Sequence, residues 1–190
     1  MALLDSVMPS LKQTDTGYSM SSEDFIPKSL EPFPPGPSLQ DTIAAMVEDI
    51  HLFEDFEWAD VKLLAAYLVA YKAYAGTVIF REGSVGGFLC LVIDGKIDLY
   101  KENAQQQRKI VATMGAGKIL GEMSLIDDEP RSATGTVVEA ATLVILTKEN
   151  FVRVTKENPA LGVKILLRLA RLLSQRFRQA SGILVGYMEK

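Results

Sequence analysis

Leu120-Gly-Glu-Met-Ser-Leu-Ile-Asp-Asp-Glu-Pro-Arg-Ser-Ala-Thr134 carries a glycine, an acid and a basic residue at offsets that together describe a binding loop. Gly121, like Gly117 ahead of it, lets backbone approach a ligand closely, and Glu122-Met-Ser-Leu125 can start a short helix whose free N–H groups suit an anion. Ten residues beyond Gly121, Arg131 opens the next strand, where its guanidinium could pair with a phosphate through two directional, charge-assisted hydrogen bonds. Taken alone, Arg131 could equally form a surface ion pair with Glu129 or Asp128. Glu122 has no use for a phosphate. A carboxylate beside an anion site accepts hydrogen bonds, and a sugar hydroxyl is the natural donor, so the combination fits a phosphorylated ribose.

On both sides of this stretch the apolar pattern has period two, which predicts strands at Thr77–Phe80, Phe88–Ile93, Ile97–Tyr100, Lys109–Met114, Ser132–Val138 and Ala141–Thr147. Asp94-Gly95 between two of them reads as a hairpin turn. Many short, closely spaced strands suggest a sandwich, jelly roll or small barrel. Ahead of the strands, Ile43, Met46, Val47 and Ile50 recur at helical spacing, and a second helix is expected from near Asp60 through Leu63, Leu64, Tyr67, Leu68 and Tyr71. After them, Lys148–Glu157 reads as a helix, and Pro159 starts a long one reaching about Tyr187. In that last helix Leu166, Ala170, Leu173, Phe177, Ala180, Leu184 and Tyr187 follow 4-3 spacing, with Ile165, Leu169 and Leu172 as a second stripe beside them. One stripe can cover the β domain while the other pairs with a second copy. Six of the eight prolines fall within residues 1–40, which read as a flexible or docked arm; residues 41–157 form the β domain with its helices, and residues 158–190 the terminal helix.

Composition removes several function classes. The 190 residues carry 24 acids against 20 bases, a net charge of −4, which argues against a general polyanion binder. A lone cysteine, Cys90, sits in an apolar run and reads as a core residue; a lone histidine, His51, removes most zinc and imidazole-based catalytic arrangements. No metal site and no enzymatic activity are expected. Gly115-Ala-Gly117-Lys118 lacks the Ser or Thr that a phosphate-binding loop needs next, since Ile119 follows. Asp127-Asp128-Glu129 reads as a solvated turn rather than a cation site. Lys164, Arg168, Arg171, Arg176 and Arg178 give the last helix a basic face, either solvated or available to an acidic partner or membrane surface. The start lacks a basic signal region and no apolar run reaches the roughly 20 residues of a membrane span, so a soluble, cytoplasmic protein is expected.

From about Leu52 to Gly186 the sequence resembles the cyclic nucleotide-binding domain family, that of the catabolite activator protein, the regulatory subunits of cAMP-dependent protein kinase and cyclic-nucleotide-gated channels. The resemblance rests on Gly-Glu-Met-Ser-Leu-(five residues)-Arg-Ser-Ala, similar to that family's phosphate-binding cassette. Ala75-Gly76, Phe80-Arg-Glu-Gly83, Asp94-Gly95 and Gly117 support it.

The resemblance implies a mainly β jelly-roll barrel with N-terminal helices and a long C-terminal helix serving as lid and dimer seam. It implies that Gly121 and Glu122 bind the ribose 2′-hydroxyl, that Met123, Ser124 and Leu125 offer backbone amides, and that Arg131 neutralises the cyclic phosphate. Ser132 would donate to the phosphate or base, and Ala133 would line the pocket. Arg176 and Phe177 stand where the activator protein presents hydroxyl side chains to the base. The implied ligand is a cyclic mononucleotide, cAMP ahead of cGMP, and the implied partners are a second copy and a protein effector. Only Ser181–Lys190 follow the basic part of the last helix, so DNA readout is not expected. The alternative is a scaffold that keeps the fold without binding nucleotide.

Overall fold

The computed structural model describes residues 25–188 apart from Asp49 and Ala104. Strands β1 (Glu31–Pro32), β2 (Val69–Ala73), β3 (Val78–Phe80), β4 (Phe88–Glu102), β5 (Arg108–Met114), β6 (Ile119–Leu120) and β7 (Thr134–Thr147) form one antiparallel seven-stranded jelly roll. Helices α1 (Leu39–Glu48) and α2 (Trp58–Ala65), joined through a 3-10 turn at His51–Phe53, precede the roll; α3 (Glu122–Asp127) interrupts it; α4 (Lys148–Glu157) and α5 (Pro159–Met188) follow it.

The two long strands carry the architecture. β4 pairs with β7 from Phe88 against Thr147 to Tyr100 against Thr134, and the register shifts around Asp94–Ile97. Asp94-Gly95 is therefore not a hairpin turn. It is an irregularity inside one strand, where Gly95 has φ +87 and a Cβ would lie 2.4 Å from the Ala140 carbonyl oxygen. A bulge and a hairpin turn draw on the same left-handed residues, and only the pairing partner distinguishes them. For the same reason the expected strands Ser132–Val138 and Ala141–Thr147 are one strand. Beyond the bend each long strand changes neighbours: β6 pairs with the first part of β4 and β5 with the second, while β3 and β2 pair with the two ends of β7.

The apolar run from Phe88 lies between two cores, which explains its lack of alternating polarity. Phe88, Cys90 and Val92 face the inside of the roll with Ile79, Leu120, Leu143 and Ile145. Leu89 and Leu91 face the helical layer with Val47, Leu64, Phe151 and Ile165. The second expected helix is shorter than its spacing suggested: α2 ends at Ala65, and Tyr71 belongs to β2. Tyr67, Leu68 and Tyr71 satisfy a helical period as well as an extended one, and pairing with β7 decides.

On α5, Ile165 and Leu169 are buried in the core and Leu172 packs against it, whereas Leu166, Phe177 and Leu184 are exposed. Most of the basic face of α5 is engaged by carboxylates. Lys164 meets Asp60 at 2.5 Å, Arg168 meets Glu54 and Asp55 at 3.0 and 2.6 Å, and Arg171 meets Asp55 at 3.3 Å. Arg178 turns to Ser174 on its own helix. The described part of the proline-rich arm lies on the roll: β1 pairs with β2 and Leu30 is buried in the inner core; residues 1–24 lie outside the described residues.

Candidate functional site

The sequence between β6 and β7 folds as its glycine and short apolar run dictate. Gly121 sits in the left-handed region at φ +80 and turns the chain into α3, whose Leu125 is fully buried and pins the helix to the core. A Cβ at Gly121 would lie 2.3 Å from Nη1 of Arg131, so glycine also makes room for the guanidinium. Gly86 packs against the same two elements, since a Cβ there would lie 2.2 Å from Ser124 Cβ and 3.2 Å from the Arg131 guanidinium carbon. That second glycine was not singled out from the sequence, because its role comes from a close approach rather than from a turn.

Gly121, Glu122, Met123, Ser124, Arg131, Ser132, Ala133 and Arg176 surround one cavity of about 70 Å³, with Phe80, Leu99 and Leu120 completing its wall. Two of the ten candidate side chains do not line it. Leu125 belongs to the core, and Phe177 is 74% exposed, one residue beyond Arg176 and on another face of α5. Phe80 and Leu99 are not singled out as site residues by the sequence: Phe80 enters only as part of the landmark Phe80-Arg-Glu-Gly83, and nothing in the local sequence marks Leu99.

Arg131 is 3% exposed. Nη1 donates to the Gly121 carbonyl at 2.9 Å and Nη2 to the Phe88 carbonyl at 2.7 Å, while Nε has no partner among the described residues. Its guanidinium carbon lies 4.5 and 4.6 Å from the ring centroids of Phe80 and Phe88. Burial pushes its pKa down to about 10, against the opposing influence of Cys90 and Glu122, so it remains a cation at neutral pH. The ion pair that could have explained Arg131 without a ligand is not made: Asp128 pairs with Lys148 instead. Beneath the site the Cys90 thiol is fully buried, and desolvation pushes its pKa up to about 12, which leaves it inert.

Glu122, 2% exposed, is paired with Nη1 of Arg176, whose Nη2 donates to the Ile119 carbonyl at 2.5 Å. Two guanidiniums therefore face one carboxylate around a cavity whose other walls are uncharged. One positive charge is uncompensated there, a strong call for a singly charged anion in a low-dielectric setting.

Residues 72–158 match the family model of the cyclic nucleotide-binding domain. The chain carries a domain of that family. It is 33% identical over 129 residues to the cyclic AMP receptor protein of Thermus thermophilus, covering 68% of this chain and 58% of that one. It is 28% identical over 107 residues to a cAMP-dependent protein kinase regulatory subunit of Yarrowia lipolytica, covering 56% of this chain and 28% of that subunit. A cyclic nucleotide-binding domain from Methylobacillus flagellatus superposes with a TM-score of 0.75 at 28% identity, over 90% of this chain and 97% of that one. The chain spans a little over half the length of the first curated relatives it matches. The family is typically regulatory rather than catalytic, and among the described residues no helix is long and apolar enough to cross a membrane.

A cyclic phosphodiester would bring a single negative charge to Arg131 and a ribose hydroxyl would offer a donor to Glu122, so the residues present are compatible with a cyclic nucleotide. The cavity between α3 and Arg176 is smaller than the roughly 300–1,000 Å³ usual for ligand pockets, and two of its wall residues, Phe80 and Arg131, also line a larger cleft of about 950 Å³.

Proposed function

We propose that this chain is a sensor of a cyclic mononucleotide, cAMP ahead of cGMP, that acts on a protein effector through its C-terminal helix and carries no enzymatic activity of its own. The observation that carries this reading is Arg131: a buried guanidinium with an unpartnered Nε and no carboxylate of its own, at the offset from Gly121 and Glu122 that the family's cassette uses. Arg131 would take the phosphate, Glu122 the 2′-hydroxyl, and Ser132 and the α3 backbone the remaining phosphate or base contacts. The likeness to a cyclic AMP receptor protein and to a regulatory subunit of cAMP-dependent protein kinase favours cAMP. Nucleotide binding would shift the packing of α4 and α5 around Val154–Pro159, by no more than its differential affinity for the two packings. A homodimer through the exposed α5 stripe fits this scheme.

Calorimetric titration of nucleotide-free protein with cAMP and cGMP tests the reading: saturable binding that is lost in Arg131→Ala supports it, and absence of binding by folded protein sinks it. A specific observation favours the second reading, a nucleotide-independent scaffold. Arg176 already pairs with Glu122, so that buried carboxylate has a donor without a ligand.

A further inference from the structure

The larger cleft, of about 950 Å³, opens between the described part of the arm and the roll, and its volume falls within the roughly 300–1,000 Å³ of small-molecule sites. Both of its walls are fixed without a ligand. On the arm side, which carries Phe25, Pro27 and Ser29, the chain is held by the pairing of β1 with β2, by the Leu30 amide donating to the Pro27 carbonyl at 3.0 Å, and by the buried Leu30 side chain. On the roll side, the loop from Arg81 to Val85 is clamped to the residues leading into β7. The Gly83 amide donates to the Arg131 carbonyl and the Arg131 amide to the Ser84 carbonyl, both at 2.8 Å, and the Glu82 amide donates to Thr134 Oγ1 at 3.0 Å. Walls set beforehand spare a ligand the cost of ordering them.

The charge of the cleft has one sign. Arg81 is exposed on its wall and, among the described residues, its guanidinium has no carboxylate partner, since the neighbouring Glu82 pairs with Lys101 at 3.2 Å. Arg131 is a second cation in the wall, and no acidic side chain lines the cleft among the described residues. Phe25 and Phe80, both half-buried, offer ring surface, and Ser29 and Thr77 offer hydroxyls. A guanidinium able to fork onto an oxyanion, set beside ring faces, selects an anion carried on a flat apolar body.

We propose that this cleft is a second ligand site that takes a small aromatic anion, with the oxyanion on Arg81 and the ring against Phe25 and Phe80. It stands apart from the sensor reading, because Arg81, Phe25 and Val85 do not border the cassette cavity.

The test is titration of the full chain with phenyl phosphate, followed by amide chemical shifts: Gly76, Thr77, Ser84 and Val85 read the cleft, and Glu122–Leu125 read the cassette. Inorganic phosphate and benzyl alcohol supply the anion and the ring separately. Saturable shifts at the cleft amides are expected with phenyl phosphate, and binding about tenfold weaker or worse with either half. Arg81→Gln is expected to weaken phenyl phosphate about tenfold, the lower end for hydrogen bonds to a charged group. Val85→Asp, which adds a carboxylate to the wall that carries Arg81, is expected to weaken it at least as much; both positions are exposed, so the fold is kept. Inorganic phosphate binding as tightly as phenyl phosphate reduces Arg81 to an adventitious anion contact and overturns the site. Shifts confined to the cassette amides, no saturable shift at all, or affinity unchanged in both variants overturn it as well.

Discussion

The Tyr67 hydroxyl donates to the Glu157 carboxylate at 2.7 Å, joining the end of the helical layer to the last residue of α4, ninety positions later. Asn158 Nδ2 donates to the same hydroxyl at 2.8 Å, and Asn150 Nδ2 donates to the Tyr67 carbonyl at 2.8 Å. The elbow between α4 and α5 is therefore fastened to one tyrosine. It also needs Gly162, where a Cβ would lie 2.9 Å from Thr155 of the preceding helix.

Tyr67→Phe should loosen this elbow at a cost of about 1 kcal/mol, near the ordinary net value of a hydrogen bond because Glu157 is half exposed. The hydrogen bond to Glu157, then burial, raises the phenol pKa above its usual value of 10. An acid whose pKa is raised by folding adds stability that is complete below its unfolded pKa and declines as pH climbs past it. The difference in melting temperature between wild type and Tyr67→Phe should hold steady from pH 6 to 9 and shrink above pH 10. A difference that grows in alkali would contradict the assignment.

Arg131 can be separated from the fold it sits in. Arg131→Met keeps a side chain between Phe80 and Phe88 and removes a poorly compensated buried cation, so the melting temperature should stay level or rise. Cyclic nucleotide binding in the same variant should weaken by about 10- to 150-fold, the equivalent of roughly 1.5–3 kcal/mol for hydrogen bonds to a charged group. Calorimetry and thermal melting on one preparation read both. A large loss of stability with unaltered affinity would make Arg131 a structural residue.

The arm is tied to the site through Phe25 and Gly87. A Cβ on Gly87 would lie 2.4 Å from Cδ2 of the Phe25 ring, one residue before the carbonyl that accepts from Arg131. Gly87→Ala should dislodge Phe25 and speed chymotryptic cleavage there at least severalfold. In the Phe25→Ala background the same substitution should have little effect on stability, since the clash is gone, and a thermodynamic cycle would show the coupling. Additive effects would mean that the ring and the glycine are independent.

The grouping of Gly121, Glu122 and Arg131 around one cavity could be read in the sequence because the three lie within eleven residues and are of the types a phosphorylated sugar would need. Helix α4 could be read because Thr147 caps it, accepting from the Asn150 amide at 3.1 Å, and Pro159 follows it. What escaped has non-local causes. β2 and the bend at Asp94-Gly95 depend on pairing with β7, some forty to seventy-six residues away, and the basic face of α5 found its partners in Glu54, Asp55 and Asp60, more than a hundred residues earlier. The pairing of Arg176 with Glu122 is of the same kind: each residue was singled out as a ligand contact, and only the fold shows them in contact with each other.

The exposed stripe on α5 gives the last prediction. Ile165 and Leu169 are spent on the chain's own core, while Leu166, Phe177 and Leu184 are 39%, 74% and 60% exposed along a helix about 45 Å long at 1.5 Å per residue. Such a seam at 4-3 spacing suits a second copy of the same helix. Leu184→Glu places a charge in that seam far from the cavity, and losing one leucine from each protomer removes about 1.5–3 kcal/mol of burial per side chain. Sedimentation velocity should find the wild type as a dimer and Leu184→Glu shifted toward monomer, with its cyclic nucleotide site still saturable. If the wild type sediments as a monomer at concentrations well above micromolar, the stripe serves another partner, and the effector itself becomes the first candidate to test on it.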